Sequence, residues 1–417
     1  MGFLKIRFIF GEQVKYFVKW ALISCITGLL GGVIGGVFGH GIRIAAAGFQ
    51  KYNWLLFLLP VSGVLIVWLY QVTGEEKNRG TNMILAAVSS GEKITLPTGP
   101  LIFVSTILTH LTGGSAGREG AALQLGGSLG SLIGKMIRLD EKDEKVAVMC
   151  GMSACFGALF GTPLAAGIFS MEVFSIGIMY YAALVPCLFA SFIGAGVSGL
   201  MGLSGEHFTI VEIPGFGLGP AVIIVCLGIL CAVLSVGFCL ILHGSEHLYR
   251  RYFKNPYARI LAAAALLICI TLLTGSRDYN GSSMGLIEEA LEGHVRYEAF
   301  VLKMLFTAVT LGAGYKGGEI VPTLCVGATF GCIVGSLLGF SPSLCAACGM
   351  AALFVGVTNC PISSLIIAFE MCGFEAMPYF ALAIGVSFTL SGYYGLYGSQ
   401  KFVYSKMKTE LINRKTN

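Results

Sequence analysis

Charge is scarce in this chain. Asp, Glu, Lys and Arg make up 12% of its 417 residues, where an average soluble domain carries about a quarter. Whole stretches have none at all: Trp54–Tyr70, Ala221–Leu242, Ile260–Thr274 and Tyr379–Leu390. Such runs approach or exceed the ~20 residues that a membrane-spanning helix needs. They are too long and too evenly apolar for barrel strands, and in hydrocarbon only helices or closed barrels satisfy the backbone. The shortage of charge therefore excludes a soluble enzyme and points to an all-α polytopic membrane protein.

The parts of metal and hydrolytic chemistry are missing too. The 14 cysteines lie mostly in apolar segments beside Ala and Gly, and the lone CxxC, Cys345–Cys348, has no second ligand pair. They read as small packing residues of a reduced compartment, with no cofactor implied. Of the six histidines, His243 and His247 are a helical turn apart, but the stretch reads HGSEH and not HExxH. An intramembrane enzyme finds no nucleophile or metal constellation here. His110 stands one turn before a Gly-rich loop, and a packed histidine is the plain alternative to a functional one. A cleavable leader is not expected, because no small-residue cleavage site follows a short apolar core.

The few charges have a pattern. Lys5, Arg7, Lys15 and Lys19 open the chain, "HLYRRYFKNPYAR" (247–259) is the most basic loop, and Lys401, Lys406, Lys408, Arg414 and Lys415 end it. By the positive-inside rule these three regions, and with them both termini, are cytoplasmic. The first twenty residues read as an interfacial helix. The formal net charge of +5 thus reports membrane orientation and lipid contact rather than nucleic-acid binding.

Glycine is plentiful, with 58 residues. In a membrane bundle it lets helices approach closely and breaks them where backbone lines a cavity. The chain also repeats itself. "CGMSACFGALFGTPLAAGIFSMEVF" (150–174) parallels "CGMAALFVGVTNCPISSLIIAFEMCGF" (348–374), with Pro163 and Pro361, and Glu172 and Glu370, at matching offsets. "LGGSLGSLIG" (125–134) likewise resembles "VGATFGCIVG" (326–335). Two related halves follow, residues 1–205 and 206–417, joined through the polar Gly/Pro-rich stretch 202–220. Internal repeats of this kind mark transporter folds, whose inverted halves meet at a midplane site made by broken helices.

Each half contains a Gly-rich break that carries charge: "LTGGSAGREGAALQLGG" (111–127) and "GAGYKGGEIVPTLCVG" (312–327). A helix N-terminus presents unpaired N–H groups and the positive end of its dipole, so two such ends converging make an anion site. A glutamate on one of them, Glu119, would occupy that site as a tethered anion until protonation released it. The plain alternative is an ion pair near an interface. Arg118 and Glu119 are neighbours in sequence, which on a helix do not face each other, and ionisable residues at membrane depth are functional by default.

With these motifs in view, "GREG" (117–120), "GGEIVP" (317–322), "GIFSMEV" (167–173) and "KFVYSKM" (401–407) resemble the CLC family of anion channels and anion/proton antiporters. The resemblance runs over nearly the whole chain. It implies a homodimer of two-halved protomers, each with its own anion pathway through tilted, partly broken helices. It implies that Glu119 is the external gating glutamate and that Gly117, Arg118 and Gly120 frame it. It implies further that the backbone at Ile320 and Val321 holds the central anion and that Tyr404 is the central tyrosine, with Tyr397 and Tyr394 as competitors. "RGTNMIL" (79–85) stands in the place of the family's first signature, putting Gly80, Thr81, Asn82 and Met83 at the anion.

The departures from the family pattern narrow it. The proline after GREG is replaced by Ala121, the internal glutamate pair is reduced to Glu172 followed by Val173, and Glu319 enters the second signature before Ile320. Together these resemble the fluoride/proton antiporter branch, which implies a cell-membrane protein that expels fluoride against an inward flow of protons. Val321 departs from the hydroxyl residue expected there. A chloride/proton antiporter or a passive chloride or fluoride channel is the alternative within the fold. Fluoride must exchange its tight hydration for short, strong donors, because bare burial of charge is costly; Asn82, Tyr404 and the helix ends offer them, and Met83 offers bulk. Glu319 is a second titratable carboxylate near the path, able to share one proton with Glu119 and to replace the missing internal glutamate. Its alternative is an ion pair with Lys316, and that of Met83 is helix packing.

Overall fold

The computed structural model describes residues 2–416, with side chains from residue 11 onward, so Lys5 and Arg7 lie outside the described side chains. The first half contains α1 (Gly2–Lys51), α2 (Leu59–Val72), α3 (Thr81–Ser90), α4 (Thr98–Leu111), α5 (Glu119–Met136), α6 (Glu141–Phe160), α7 (Pro163–Glu172), the two-residue strand β1 (Ser175–Ile176) and α8 (Leu184–Leu200). The second contains α9 (Leu218–Tyr252), α10 (Pro256–Thr274), α11 (Met284–Leu291), α12 (Ala299–Ala313), α13 (Ile320–Leu337), α14 (Pro342–Thr358), α15 (Pro361–Cys372), α16 (Met377–Leu390) and strands β2 (Lys401–Tyr404) and β3 (Leu411–Lys415). Six helical segments, Gly11–Lys51, Asn53–Val72, Tyr181–Leu200, Leu218–Tyr252, Pro256–Thr274 and Ile320–Leu337, are long and apolar enough to cross a membrane.

The repeat is written in backbone chemistry. Pro163 and Pro361 open α7 and α15, where a missing N–H costs nothing and a fixed φ suits the first turn. The helices before them, α6 and α14, both end on a left-handed residue, Gly161 (φ 67°) and Asn359 (φ 59°). The pairs α5/α6 and α13/α14 pack through glycine. A Cβ at Gly126 would strike the Gly151 carbonyl, and one at Gly327 would strike that of Gly349. Small residues at these crossings admit the close approach that packing in lipid relies on.

Each half also caps the other. The Glu172 carboxylate accepts from Ile362 N–H (3.1 Å), Ser363 N–H (2.8 Å) and Ser363 O–H (2.5 Å) at the start of α15. The Glu370 carboxylate accepts from Leu164 N–H (3.0 Å) and Ala165 N–H (2.8 Å) at the start of α7. A carboxylate at a helix N-terminus satisfies orphan donors and meets the positive dipole end, so α7 and α15 are joined reciprocally. Segment 201–217 joins α8 to α9 and covers most of the expected junction, 202–220.

Two expectations need correction. The first twenty residues are no separate interfacial helix; they run into one 50-residue α1, about 75 Å long at 1.5 Å per residue. The run Tyr379–Leu390 lies in α16, which has only 14 residues. The basic tail follows the last helix of this all-α architecture. It forms the hairpin β2–β3, and β2 pairs in parallel with β1 through Ser175–Lys401 and Ile176–Phe402. Lys406 pins that hairpin by donating to Asn359 Oδ1 (2.6 Å), the Phe388 carbonyl (2.8 Å) and Ser391 Oγ (3.1 Å), which anchors it to the C-terminal ends of α14 and α16.

Candidate anion and proton site

The two Gly-rich breaks meet backbone to backbone. Gly117 N–H donates to the Gly318 carbonyl and Gly318 N–H to the Gly117 carbonyl, each at 2.7 Å. This two-residue bridge holds the first turns of α5 and α13 side by side. Glycine is required for the approach. A Cβ at Gly318 would stand 2.6 Å from the Gly120 nitrogen, 2.9 Å from the Glu119 nitrogen and 3.0 Å from Glu119 Oε2.

Glu119 is the first residue of α5 and wholly buried. Its Oε2 accepts from Arg118 N–H at 3.0 Å and, across the junction, from Val321 N–H at 3.2 Å. Oε1 has no partner among the described residues. One carboxylate oxygen thus spans both helix starts, where a free anion would be held by the same amides. Arg118 and Glu119 do not pair. The Arg118 guanidinium turns away to an ion pair with Glu206 on segment 201–217 and lies over the Phe160 ring, 5.8 Å from its centre.

Glu319 caps α13 at the position that Arg118 holds on α5. Its Oε2 is buried and unpartnered. A Cβ at Gly120 would stand 3.4 Å from that oxygen and 3.0 Å from Thr81 Oγ1, so carboxylate and hydroxyl flank Gly120. The alternative partner is not used: Lys316 lies over the Tyr70 ring, 4.4 Å from its centre. Thr81 O–H faces the Gly120 carbonyl at 3.4 Å, and Gln124 Nε2–H donates to that carbonyl at 3.1 Å. Gly80 caps α3 with φ 61°, a left-handed conformation that favours glycine. Asn82 Oδ1 accepts from Ser399 N–H at 3.0 Å, tying α3 to the loop after α16. Met83 is buried in the core, so packing describes it.

The tyrosine assignment changes. Tyr404 sits on β2, 44% exposed, and is not at the junction. Tyr397 is 1% exposed, its hydroxyl has no partner among the described residues, and both Glu319 and Glu119 lie within its electrostatic reach. "KFVYS" misled because its tyrosine falls on an exposed strand, whereas Tyr397 lies buried in the loop after α16. Glu172, the remaining internal glutamate, is occupied as a helix cap.

Reading by motif missed Gln124, Glu206 and Lys303. Lys303, on α12, is fully buried and donates to Ser115 Oγ (2.9 Å), the Gly281 carbonyl (2.8 Å) and the Tyr279 carbonyl (3.3 Å). A lysine inside the apolar run "AFVLKMLFTAV" was a legible signal. Glu206 and Gln124 carried none, since their roles depend on which loop folds over which helix end.

Residues 62–392 match the family described as voltage gated chloride channel. A chloride/fluoride channel protein of Pseudomonas syringae pv. tomato is 31% identical over 402 residues, 95% of this chain and 89% of that protein. An H(+)/Cl(-) exchange transporter of Vibrio cholerae is 23% identical over 84% of this chain and 81% of its own. Among solved structures, a CLC-type fluoride/proton antiporter superposes with a TM-score of 0.88 at 30% identity, covering 92% of this chain and 98% of that one. A slow cyanobacterial Cl-/H+ antiporter shares the fold, with a TM-score of 0.74 at 18% identity over 89% of this chain and 94% of its own.

Proposed function

The chain belongs to the voltage gated chloride channel family, and from that premise we propose that it is a fluoride/proton antiporter of the CLC type, exporting fluoride at the expense of an inward proton gradient. The observation that carries this reading is the Glu119 carboxylate held at once by Arg118 N–H and Val321 N–H, alongside the 30% identity to a fluoride/proton antiporter of the same fold. Hydrogen bonds to an ionised acceptor are about twice as strong as neutral ones. Protonating Glu119 removes that advantage and frees the amides. Fluoride then takes the place of Oε2 at the ends of α5 and α13. When the proton passes inward and fluoride outward, the carboxylate returns. Coupling arises because the two anions, tethered and free, compete for one set of donors, and only such a difference in affinity can link two ions.

In this scheme Glu119 is the gate, and Ile320, Val321, Gly117, Arg118 and Gly120 supply backbone. Thr81, Asn82 and Tyr397 supply side-chain donors from below. With Val173 beside Glu172, the internal proton acceptor is Glu319, whose free Oε2 lies beside Gly120. Both termini are cytoplasmic in the cell membrane, so loop 275–283 and the end of α1 face outside. The working unit is a homodimer with one pathway per protomer.

The test is flux from liposomes containing the purified protein, read by fluoride, chloride and pH electrodes together. Fluoride release that exceeds chloride release, with protons driven uphill by a fluoride gradient, is the expected result. Equal chloride and fluoride release would return the chain to a general anion pathway. Anion flux without proton movement would make it a channel, as the Pseudomonas relative is named.

A further inference from the structure

A second cavity lies behind the gating loop and has no part in the scheme above. It holds about 240 Å³ and is lined by the end of α1 (Ala46, Phe49, Gln50), by His110, by Asp278 and by residues 280–286 with Glu289. Its wall is fastened to the loop that carries Glu119. Ala116 N–H donates to the Gly281 carbonyl at 3.2 Å, Gly281 N–H to the Gly114 carbonyl at 3.1 Å, and Lys303 reaches both Gly281 and Ser115. The wall is thereby bonded to residues 114–116, three to five positions before Glu119.

His110 is the group in this cavity that can take one. The ring is 1% exposed, and its Nδ1 lies 2.9 Å from the Thr106 carbonyl. A carbonyl only accepts, so Nδ1 carries the hydrogen of the neutral ring. Nε2 is then a basic lone pair, buried and with no partner among the described residues. Buried polar atoms are nearly always satisfied. His110 lines a cavity roomy enough for water, which Asp278, Asn280, Ser282 and Ser283 also line, and there water or a proton can satisfy the lone pair. The charged groups around it are few. Arg118 and Lys303 lie within electrostatic reach of the ring; Asp278 is engaged by Arg296, and Glu289 is exposed at the rim.

We propose that this cavity is the outer proton entrance of the antiporter and that His110 is its terminal acceptor, which takes a proton from hydronium on the outer side and yields it to the Glu119 carboxylate. The balance is simple. Nε2 gains the proton as hydronium becomes water, and the imidazolium returns to the neutral ring as Glu119 becomes the neutral acid. No electrons move. The inference rests on the proton-coupled reading of the function.

The experiment is proton-driven fluoride efflux from liposomes at a series of outer pH values, comparing the wild type with His110→Asn and His110→Gln. Either amide can restore the bond to Thr106 but neither is a base. About tenfold slower exchange is expected, below the usual 10²- to 10⁴-fold worth of a positioned proton-transfer group because water in the cavity can substitute in part. A flattened dependence on outer pH should accompany it. The Glu119→Gln background serves as control: adding either His110 change should leave its fluoride leak unaltered, which reports an intact fold. A variant with an intact leak but wild-type exchange and wild-type pH profile overturns the proposal while sparing the antiporter reading. If the wild type moves no protons, the antiporter reading itself falls.

Discussion

The breaks before α5 and α13 share one backbone design and differ in where the carboxylate is attached. Gly117 and Gly318 pair with each other, and the next residue in each half is the cap, Arg118 or Glu319. One residue further on stand Glu119 and Ile320. A side chain on the first helical residue folds back over the helix start, so Glu119 reaches the amides of both halves. Neither cap side chain here bonds its own helix start. Arg118 goes outward to Glu206, and Glu319 goes to the wall beside Gly120 with an oxygen unpartnered. A shift of one position thus separates a carboxylate that bonds the amides of both helix starts from one that stands beside them. The symmetric partner of Glu319 is Arg118, not Glu119, which the sequence repeat alone does not make obvious.

The largest expected effect tests that distinction. Glu119→Gln should lower coupled proton movement about 10²-fold or more, the scale of losing a positioned proton-transfer group, and leave fluoride leak. Glu319→Gln should lower it about tenfold, since water can deputise for a wall-side acceptor at less than that full cost. Proton and fluoride electrodes read both, and equal losses would erase the difference drawn between cap and first-turn positions.

Stability changes should be smaller and nearly symmetric. Gly151→Ala and Gly349→Ala each push a methyl toward a backbone carbonyl of the facing helix. Overpacking costs about 1–3 kcal/mol, and the gain in helix propensity, about 1 kcal/mol, offsets part of it. A net loss of about 1 kcal/mol in both halves should lower the thermal midpoint in detergent, and a loss in one half only would show that the halves are not equally tight.

The reciprocal caps offer the finest comparison. Glu172→Gln and Glu370→Gln should each cost about 1 kcal/mol, the worth of a cap. Glu172 should cost more, because it makes three bonds against two and is the more buried. Neither should alter the fluoride-to-proton ratio. A changed ratio in Glu172→Gln would return that residue to the proton path.

Much of this was legible in the linear chain. Apolar runs, the offsets of Pro163 and Pro361, and Gly-fenced Glu119 are local patterns, and local patterns dictate helices, caps and breaks. The tail was not, because a hairpin depends on its partner strand: Lys401 pairs with Ser175, more than 200 positions away. Tyr404 and Tyr397 sit in equally plausible text, and burial separates them.

By itself, then, the sequence determined a helical membrane chain with paired similar segments and a carboxylate on a Gly-rich break, since scarcity of charge and the spacing of Gly and Pro act through the solvent and the backbone. Only the tertiary structure decided which amides Glu119 holds, that Arg118 turns to Glu206, that Glu172 and Glu370 serve as caps, and that His110 faces a cavity with a bare nitrogen. Those facts depend on which distant segments meet. A hydrogen bond forms only where geometry brings donor to acceptor, and no spacing along the chain encodes that distance.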